Sequence, residues 1–207
     1  MCKTELTVLA GGVGAARFLS GLVHVMPPET ITVIVNTADD LTSYGLFISP
    51  DIDIITYTLA GIVNPERGWG VADDSFHCLS MLDTLGHSTW FNLGDKDLGT
   101  HIHRTFRLQQ GWTLDQITEE IRIALNVKSK VIPMTNQRVM TKINTSTDIL
   151  PFQEYFVKRN FLLIKKLPII IPSMADAMYT IIPLPTVIFA YSIKKIRIQT
   201  NIPSCKI

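Results

Sequence analysis

Four aspartates follow the uncharged run from Ile31 to Val35, which its residue types predict to be a strand. Carboxylates that follow such a strand lie where open parallel sheets bind ligands. Their hard oxygen atoms suit Mg²⁺, and no Cys/His cluster accompanies them to favour zinc. The sequence therefore predicts a magnesium site formed by Asp39, Asp40 and Asp51, with the fourth aspartate, Asp53, close by.

Helix capping is an alternative interpretation of Asp51. Ser49 as N-cap, Pro50 at the first helical position and Asp51 in the first turn would begin a helix over residues 52–63 without any ligand. One N-cap residue is enough for one helix, so capping leaves the other acidic residues unexplained. For Asp51 both interpretations stay open.

A glycine-rich loop precedes these aspartates. The apolar run from Leu6 to Ala10 stops at Gly11, Gly12 and Gly14, and apolar residues then recur at helical spacing, which predicts strand, turn and a helix from Gly14. Such a turn lets a phosphate approach the free N–H groups of the helix start. A turn that only lets the helix pack on the sheet is the alternative.

The surroundings of this loop exclude two familiar nucleotide-binding classes. No Gly-Lys-Ser/Thr follows the glycines, so the loop is not a P-loop, and the third glycine of a dinucleotide fingerprint is missing. The second strand ends in Asn36 and Thr37 instead of the acidic residue that binds ribose in a dehydrogenase. We assign phosphate or nucleotide binding to these two residues and to the glycines.

Eight blocks of sequence, in the same order, resemble the 2-phospho-L-lactate transferase family. They are residues 8–14, 36–40, 48–53, 57–61, 69–71, 93–97, 100–101 and 151–156. The resemblance covers residues 5 to about 159.

This resemblance implies a Mg²⁺-dependent enzyme of coenzyme F420 biosynthesis. It would move a phospholactyl or phosphoenolpyruvyl group from a guanosine diphosphate adduct, lactyl-2-diphospho-5'-guanosine, to a deazaflavin, 7,8-didemethyl-8-hydroxy-5-deazariboflavin, and release GMP. Asp51 and Asp53 would be the catalytic carboxylates, and Asp53 could orient or deprotonate the attacking hydroxyl.

The resemblance also implies a deazaflavin site formed by Asp53, Trp69, Asn92 and His101. Trp69 lies in a glycine-flanked loop and could stack on a flat ring, although a tryptophan at the edge of the core is an equal alternative. His101 would be read as structural without the family pattern. Asn92 stands where the family usually has a basic residue, which weakens the expectation of a cation there.

The alternation of strand and helix patterns predicts an α/β fold in one domain over residues 1–207, with a doubly wound, mostly parallel, Rossmann-like sheet. Strands over 130–134 and 139–144 are expected, and 151–158 would belong to a small inserted lobe. A capping box at Thr113 and Gln116 predicts a helix over 114–125. A helix from Asp74 would bury Met81 and Leu85, and a helix from residue 95 would bury Ile102.

Composition agrees with a cytoplasmic enzyme. The chain has 207 residues, 46% of them hydrophobic and 18% charged, and its net charge of +1 supplies no electrostatic reason to bind nucleic acid or membrane. Three scattered cysteines indicate a reducing compartment, and no signal peptide is recognisable. Small-molecule substrates are the expected partners, and a homodimer is compatible with the sequence.

Beyond residue 160 the resemblance fades. We expect residues 160–207 to be a divergent tail, from a truncated or frameshifted reading frame, so that the C-terminal part of the sheet is missing. The apolar stretch 167–193 contains four prolines, which argue against a membrane-spanning helix.

Two other functions remain open. A nucleotide-binding regulator on the same scaffold would keep the glycine loop without needing the aspartates, so metal-dependent binding of the deazaflavin would favour the enzyme. An inactive fragment of the transferase would show no cooperative unfolding.

Overall fold

The structure is a computed structural model that describes residues 5–144, 149–158 and 187–191. Along these residues the elements are β1 (Leu6–Gly11), α1 (Gly12–Leu22), β2 (Ile31–Val35), β3 (Leu41–Ser43), β4 (Leu46–Ile48), α2 (Pro50–Leu59), α3 (His77–Thr84), α4 (Asp95–Gln109), α5 (Leu114–Ala124), β5 (Lys130–Pro133), β6 (Lys142–Asn144), β7 (Ile149–Pro151) and β8 (Val187–Tyr191).

The main sheet is parallel, and its strand order is β5-β2-β1-β8. In its registers Val8 lies beside Val33 of β2 and Ile188 of β8. All six residues of β1 are buried, as expected for an uncharged central strand that is covered on both faces. The carboxyl ends of β1 and β2 therefore meet at one edge of the sheet, where the glycine loop and Asn36 begin.

The main core lies between this sheet and the helices. Buried residues of β1 and β2 pack with Ala15 and Leu19 of α1 and with Ile52 and Ile55 of α2. Burying one such aliphatic side chain contributes about 1.5–3 kcal/mol before entropy is counted. These contacts position the start of α2 against the glycine loop.

Two antiparallel pairs lie outside the main sheet. Strands β3 and β4 form a short hairpin, and β6 pairs with β7. The second pair has its own small core of Ile143, Leu150 and Tyr155, so it forms the small lobe that the sequence predicts. A backbone hydrogen bond of 2.6 Å from Thr141 to Ala38 attaches this lobe to the loop after β2.

The predicted α/β fold with a mostly parallel sheet is confirmed, whereas several predicted boundaries are wrong. Helix α1 begins at Gly12, not Gly14, because Gly11 serves as its N-cap. Helix α2 covers Pro50–Leu59 rather than 52–63, and β6 is shorter than the predicted 139–144.

Two predicted apolar helix faces are wrong. Helix α3 buries none of its residues, and Met81 and Leu85 are 58% and 66% exposed. Ile102 of α4 is 52% exposed, because that helix buries Asp97, His101 and Arg104 instead. The hydrophobic pattern therefore identified these helices but not the faces that they bury.

No helix among the described residues is long and apolar enough to cross a membrane. The predicted tail, and most of the apolar stretch 167–193, lie outside those residues; only β8 at 187–191 is described. The expected loss of the C-terminal part of the sheet therefore stays a prediction.

Helices α3 and α4 cap each other. The carboxylate of Asp74, just before α3, accepts the N–H groups of Lys96 and Asp97 in the first turn of α4, at 2.8 and 3.1 Å. In return Asp95, the first residue of α4, accepts the N–H groups of His77 and Cys78, both at 3.0 Å. Each carboxylate satisfies donors that a helix leaves free at its start.

Gly94→Ala should disrupt this arrangement. A Cβ at Gly94 would lie 2.1 Å from an Asp74 carboxylate oxygen, so the cap of α4 must move. We expect the free energy of unfolding to fall by about 1–2 kcal/mol, the usual cost of a lost cap.

Gly99→Ala is the matched control, since nothing lies within 4 Å of its Cβ. That change should stabilise α4 by about 0.5–1 kcal/mol. Denaturant titration measures both, and equal stability of the two variants would contradict the described contact.

Candidate functional site

The glycine loop and the end of β2 lie side by side. The N–H of Asn36 donates to the carbonyl of Ala10 at 2.9 Å, which holds the end of β2 against the end of β1. Gly12 has a φ of +68°, a left-handed conformation that favours glycine. Gly14 lies in the first turn of α1 and Thr37 is buried beside Asn36. The structure thus brings the predicted phosphate-binding residues together.

Asp51 joins three elements at this edge. It is buried in the first turn of α2 and accepts a 2.9 Å hydrogen bond from the side-chain amide of Asn36. It also accepts the backbone N–H of Gly12. Burial raises its pKa to about 6 and the charge of Asp53 adds to this, although the two hydrogen bonds oppose it. The side-chain amide of Asn36, which the sequence analysis assigned to phosphate binding, therefore already donates to the carboxylate of Asp51.

The capping interpretation of this turn is correct in its positions: Ser49 is the N-cap residue, Pro50 is the first residue of α2 and Asp51 lies in the first turn. The side chain of Ser49 makes no cap, however. Its hydroxyl donates to Oδ2 of Asp40 at 3.0 Å instead. Asp51 likewise makes contacts outside its own helix, so both residues connect α2 to the loop after β2.

Asp39 and Asp40, in the loop after β2, both have raised pKa values. Burial raises the pKa of Asp40 to about 8, against an opposing hydrogen bond from Ser49. Burial together with the charge of Asp51 raises the pKa of Asp39 to about 7, and a hydrogen bond from Thr141 opposes this. Oδ1 of Asp40 is buried and has no hydrogen-bond partner among the described residues. Each group would be easier to ionise beside a cation.

A narrow cleft of about 10 Å³ opens at these two aspartates. One wall is the loop 38–41, and the other is the small lobe, through Met140, Thr141, Pro151, Phe152 and Gln153. The lobe therefore forms one side of the candidate site. The surface of the lobe at the cleft is mostly apolar, and the cleft has room for about one water molecule.

Asp53 lies in a separate buried network that sequence reasoning missed. Its carboxylate pairs through both oxygens with the guanidinium of Arg104, which is 0% exposed; the Nη1 to Oδ2 distance is 3.1 Å. Nη1 also lies 3.2 Å from Nδ1 of His101. On the other side of the ring, Nε2 lies 3.3 Å from Oδ1 of Asp97, which accepts the hydroxyl of Tyr57 at 2.8 Å.

The charges in this network respond to burial and to their partners. Burial raises the pKa of Asp53, while the charge of Arg104 and its hydrogen bond oppose that rise. Burial would also raise the pKa of Asp97, but hydrogen bonds from His101 and Tyr57 outweigh it, so its pKa is lowered. The carboxylate of Asp53 raises the pKa of Arg104 against the effect of burial. Arg104 is therefore a fixed positive charge inside the protein.

Asp53, Asp97 and His101 are close enough to suggest a metal site, since one possible ligand atom of each lies within 4.8 Å of the others. The arrangement does not suit one ion, however. Asp53 faces Nδ1 of His101 at 3.7 Å, whereas Asp97 faces Nε2, so the ring separates the two carboxylates. Arg104 already supplies the positive charge beside Asp53. The predicted ligands Asp39, Asp40 and Asp51 have the oxygen donors that Mg²⁺ prefers, but among the described residues they do not form a group whose ligand atoms lie within 4.8 Å of one another.

The remaining predicted residues lie on loops. Trp69 is half-buried, and the guanidinium of Arg67 lies 5.4 Å from its ring centroid, over the surface expected to stack on a ligand. Asn92 is exposed and precedes Leu93, which packs with Leu41 and Ile48 of the β3–β4 hairpin. The spacing along α4 offered one signal for Arg104: Asp97, His101 and Arg104 follow one another at intervals of four and three residues, which places them on one helix face.

Residues 6–187 match the family described as 2-phospho-L-lactate transferase CofD. A 2-phospho-L-lactate transferase from Methanocaldococcus jannaschii is 40% identical over 158 residues, covering 74% of this chain and 51% of that protein. A phosphoenolpyruvate transferase from Streptomyces coelicolor is 44% identical over 159 residues, covering 74% of this chain and 50% of that protein. The chain spans about half the length of the curated relatives it matches.

Among solved structures, a UPF0052 family protein from Bacillus halodurans aligns with a TM-score of 0.46 at 18% identity. The alignment covers 83% of this chain and 52% of that chain.

The raised pKa values predict how stability depends on pH. Unfolded aspartates lose their protons near pH 3.8, whereas Asp39, Asp40 and Asp51 keep theirs to about 7, 8 and 6 when folded. The folded state then binds more protons, so stability should fall as pH rises from about 4 to about 8. Asp40→Asn keeps the acceptor for Ser49 but cannot ionise. Relative to wild type, we expect it to gain roughly 1–3 kcal/mol in unfolding free energy between pH 5.5 and pH 8.

The measurement is denaturant unfolding in EDTA at the two pH values. Asp83→Asn is the control, because Asp83 is exposed and accepts only a 3.2 Å hydrogen bond from Thr89 that asparagine can also accept. Parallel pH profiles of wild type and Asp40→Asn would show that Asp40 does not hold its proton in the folded state.

Proposed function

This chain belongs to the 2-phospho-L-lactate transferase family, and from that membership we propose that it is a Mg²⁺-dependent transferase of coenzyme F420 biosynthesis. It would transfer a phospholactyl or phosphoenolpyruvyl group from a guanosine diphosphate adduct to 7,8-didemethyl-8-hydroxy-5-deazariboflavin and release GMP. Both donor types are retained, because relatives named for either group match the chain at 40–44% identity.

The observation that carries this proposal is the group of three aspartates with raised pKa values beside the glycine loop. Carboxylates that are costly to ionise alone become favourable ligands when a divalent cation shares their charge. A diphosphate donor needs such a cation, because its own negative charge would otherwise meet the same carboxylates. The acidic group and the phosphate loop therefore make chemical sense together.

Carboxylate oxygens are the donors that Mg²⁺ prefers, so the chemistry of the proposed ligands suits this cation. Asp39, Asp40 and Asp51 offer carboxylate oxygens, and Oδ1 of Asp40 has no partner within the described part of the chain. Bound there, Mg²⁺ would neutralise the diphosphate and stabilise the charge that develops on the departing GMP. Asp51 would also keep its hydrogen bond from Asn36, which fixes its carboxylate.

The backbone and hydroxyl donors at this edge would hold the phosphate oxygens. The N–H groups of the loop from Gly11 to Gly14 lie at the start of α1, where the helix dipole favours an anion. The hydroxyl of Thr37 is buried and, among the described residues, has no hydrogen-bond partner, so it can donate to a phosphate. These donors would be aimed at charge that grows during the transfer.

Asp53 would orient the attacking hydroxyl of the acceptor. Its ion pair with Arg104 favours the ionised carboxylate, which accepts a hydrogen bond from a hydroxyl, and opposes the rise in pKa that burial causes. His101 is 1% exposed, so it would support Asp53 from inside the protein rather than contact the deazaflavin itself. Trp69 would contact the deazaflavin only if Arg67 moves off its ring, and Asn92 would contact it from the surface.

The proposal is tested with the purified full chain. We expect GMP and the phospholactyl or phosphoenolpyruvyl deazaflavin to form when donor, acceptor and Mg²⁺ are supplied together, as detected by chromatography and mass spectrometry. Formation should stop with excess EDTA and resume when Mg²⁺ is restored. A folded chain that binds the deazaflavin but forms neither product with either donor would contradict the proposal and favour the regulator or the inactive fragment.

Asp51→Asn should weaken the use of Mg²⁺. Asparagine keeps an oxygen for Gly12 but removes the negative charge, so the Mg²⁺ concentration for half-maximal rate should rise about tenfold or more. Mg²⁺ should also raise the melting temperature of wild type at pH 8 by more than that of the variant. Asp83→Asn, the exposed control, should behave like wild type in both assays. An unchanged Mg²⁺ requirement in Asp51→Asn would remove Asp51 from the metal site.

A further inference from the structure

Arg104 is buried deeper than an ordinary surface ion pair. It lies on α4, is 0% exposed, and forms a two-point pair with Asp53 of α2. A surface comparison exists on the same helix, where Arg107 pairs in the same two-point manner with Glu120, and both side chains are about 30% exposed. Replacing a buried pair by apolar side chains often leaves stability unchanged or higher, so packing alone does not account for Arg104.

The hydrogen bonds around His101 determine its tautomer. A guanidinium has only donors, so Nδ1 of His101, 3.2 Å from Nη1 of Arg104, must be the accepting nitrogen. The ring proton then lies on Nε2, which faces Oδ1 of Asp97 at 3.3 Å. Asp97 also accepts the hydroxyl of Tyr57. Asp53 in turn accepts from both Nη atoms of Arg104.

We propose that Arg104 and His101 are positioning residues that act through Asp53. Arg104 fixes the orientation of the Asp53 carboxylate, and His101, held as the Nε2–H tautomer between Asp97 and Arg104, fixes the guanidinium. Asp53 is thereby presented as an acceptor for a hydroxyl or N–H donor on the acceptor substrate. The substrate part of this inference rests on the proposed function, whereas the tautomer and the network do not.

Fixing Asp53 also affects the magnesium ligands. Asp53 and Asp51 lie in the same first turn of α2, and α4 reaches that turn through Arg104. Arg104 therefore holds Asp53 apart from Asp51, the neighbouring carboxylate that would bind the cation.

The first test needs no substrate. In the full chain labelled with ¹⁵N on histidine, the ring nitrogens of His101 are identified by their loss in His101→Asn. We expect one protonated nitrogen, Nε2, and one bare accepting nitrogen, Nδ1, at pH 7. In Arg104→Met that signature should change, while Arg107→Met should leave it intact. A wild-type ring with its proton on Nδ1, or with protons on both nitrogens, would overturn the network.

The second test separates the two substrates. Arg104→Lys keeps the charge but loses the two-point pair, so we expect the KM for the deazaflavin to rise about tenfold or more, with the KM for the guanosine donor unchanged. Arg107→Lys should change neither constant. Equal changes in both constants, or in none, would overturn the positioning role.

His101→Asn supplies a second variant if Arg104→Lys does not fold. Its side-chain oxygen can accept from Arg104 near the place of Nδ1, whereas leucine cannot. His101→Asn should therefore bind the deazaflavin more tightly than His101→Leu, measured by the fluorescence of the ligand. Equal affinities would overturn the inference. If wild type shows the predicted tautomer but transfers no group, the proposed function fails and the network stands.

Discussion

The burial of negative charge is the constraint on which this site depends. Five aspartates lie buried or half-buried around the carboxyl edge of β1 and β2 and the facing helices, and each must offset the loss of water. Asp97 and Asp53 do so with strong donors, among them Arg104. Asp51 has an amide and a backbone N–H, whereas Asp39 and Asp40 each rely chiefly on one hydroxyl. The pKa values of Asp39 and Asp40 are raised to about 7 and about 8, so a cation beside them would ease their ionisation.

The parts of the fold that the sequence predicted well are those where one physical rule decides. An uncharged run such as Leu6 to Ala10 has no stable place except a covered strand, and the capping box at Thr113 is confirmed, with Gln116 accepting the Thr113 N–H at 3.0 Å. Helix α4 was predicted as an element with the wrong face. Its apolar residues suggested that Ile102 is buried. The helix instead directs Arg104 and Arg107 toward their partners Asp53 and Glu120.

The sequence predicted many residues of the site but not the contacts between them. Glycines, Asn36 and the four aspartates were recognisable because they end strands or begin helices, where ligands bind. Arg104 was not recognised, because its partner Asp53 is distant in sequence and a lone arginine on a helix is normally solvated. The contact between Asp51 and Gly12 was also unpredictable, since it depends on how closely α2 approaches the loop.

The reciprocal caps of α3 and α4 have a consequence for how this region opens. Helix α3 buries no side chain, so its attachment to the protein depends on Asp95, and α4 likewise begins on Asp74. Fraying of one helix releases the carboxylate that starts the other, so the two first turns form one cooperative unit that opens together. That unit includes Asp97, which accepts from Tyr57 and faces His101. Local unfolding at an exposed helix would thus reach the buried charges by the loss of hydrogen bonds alone.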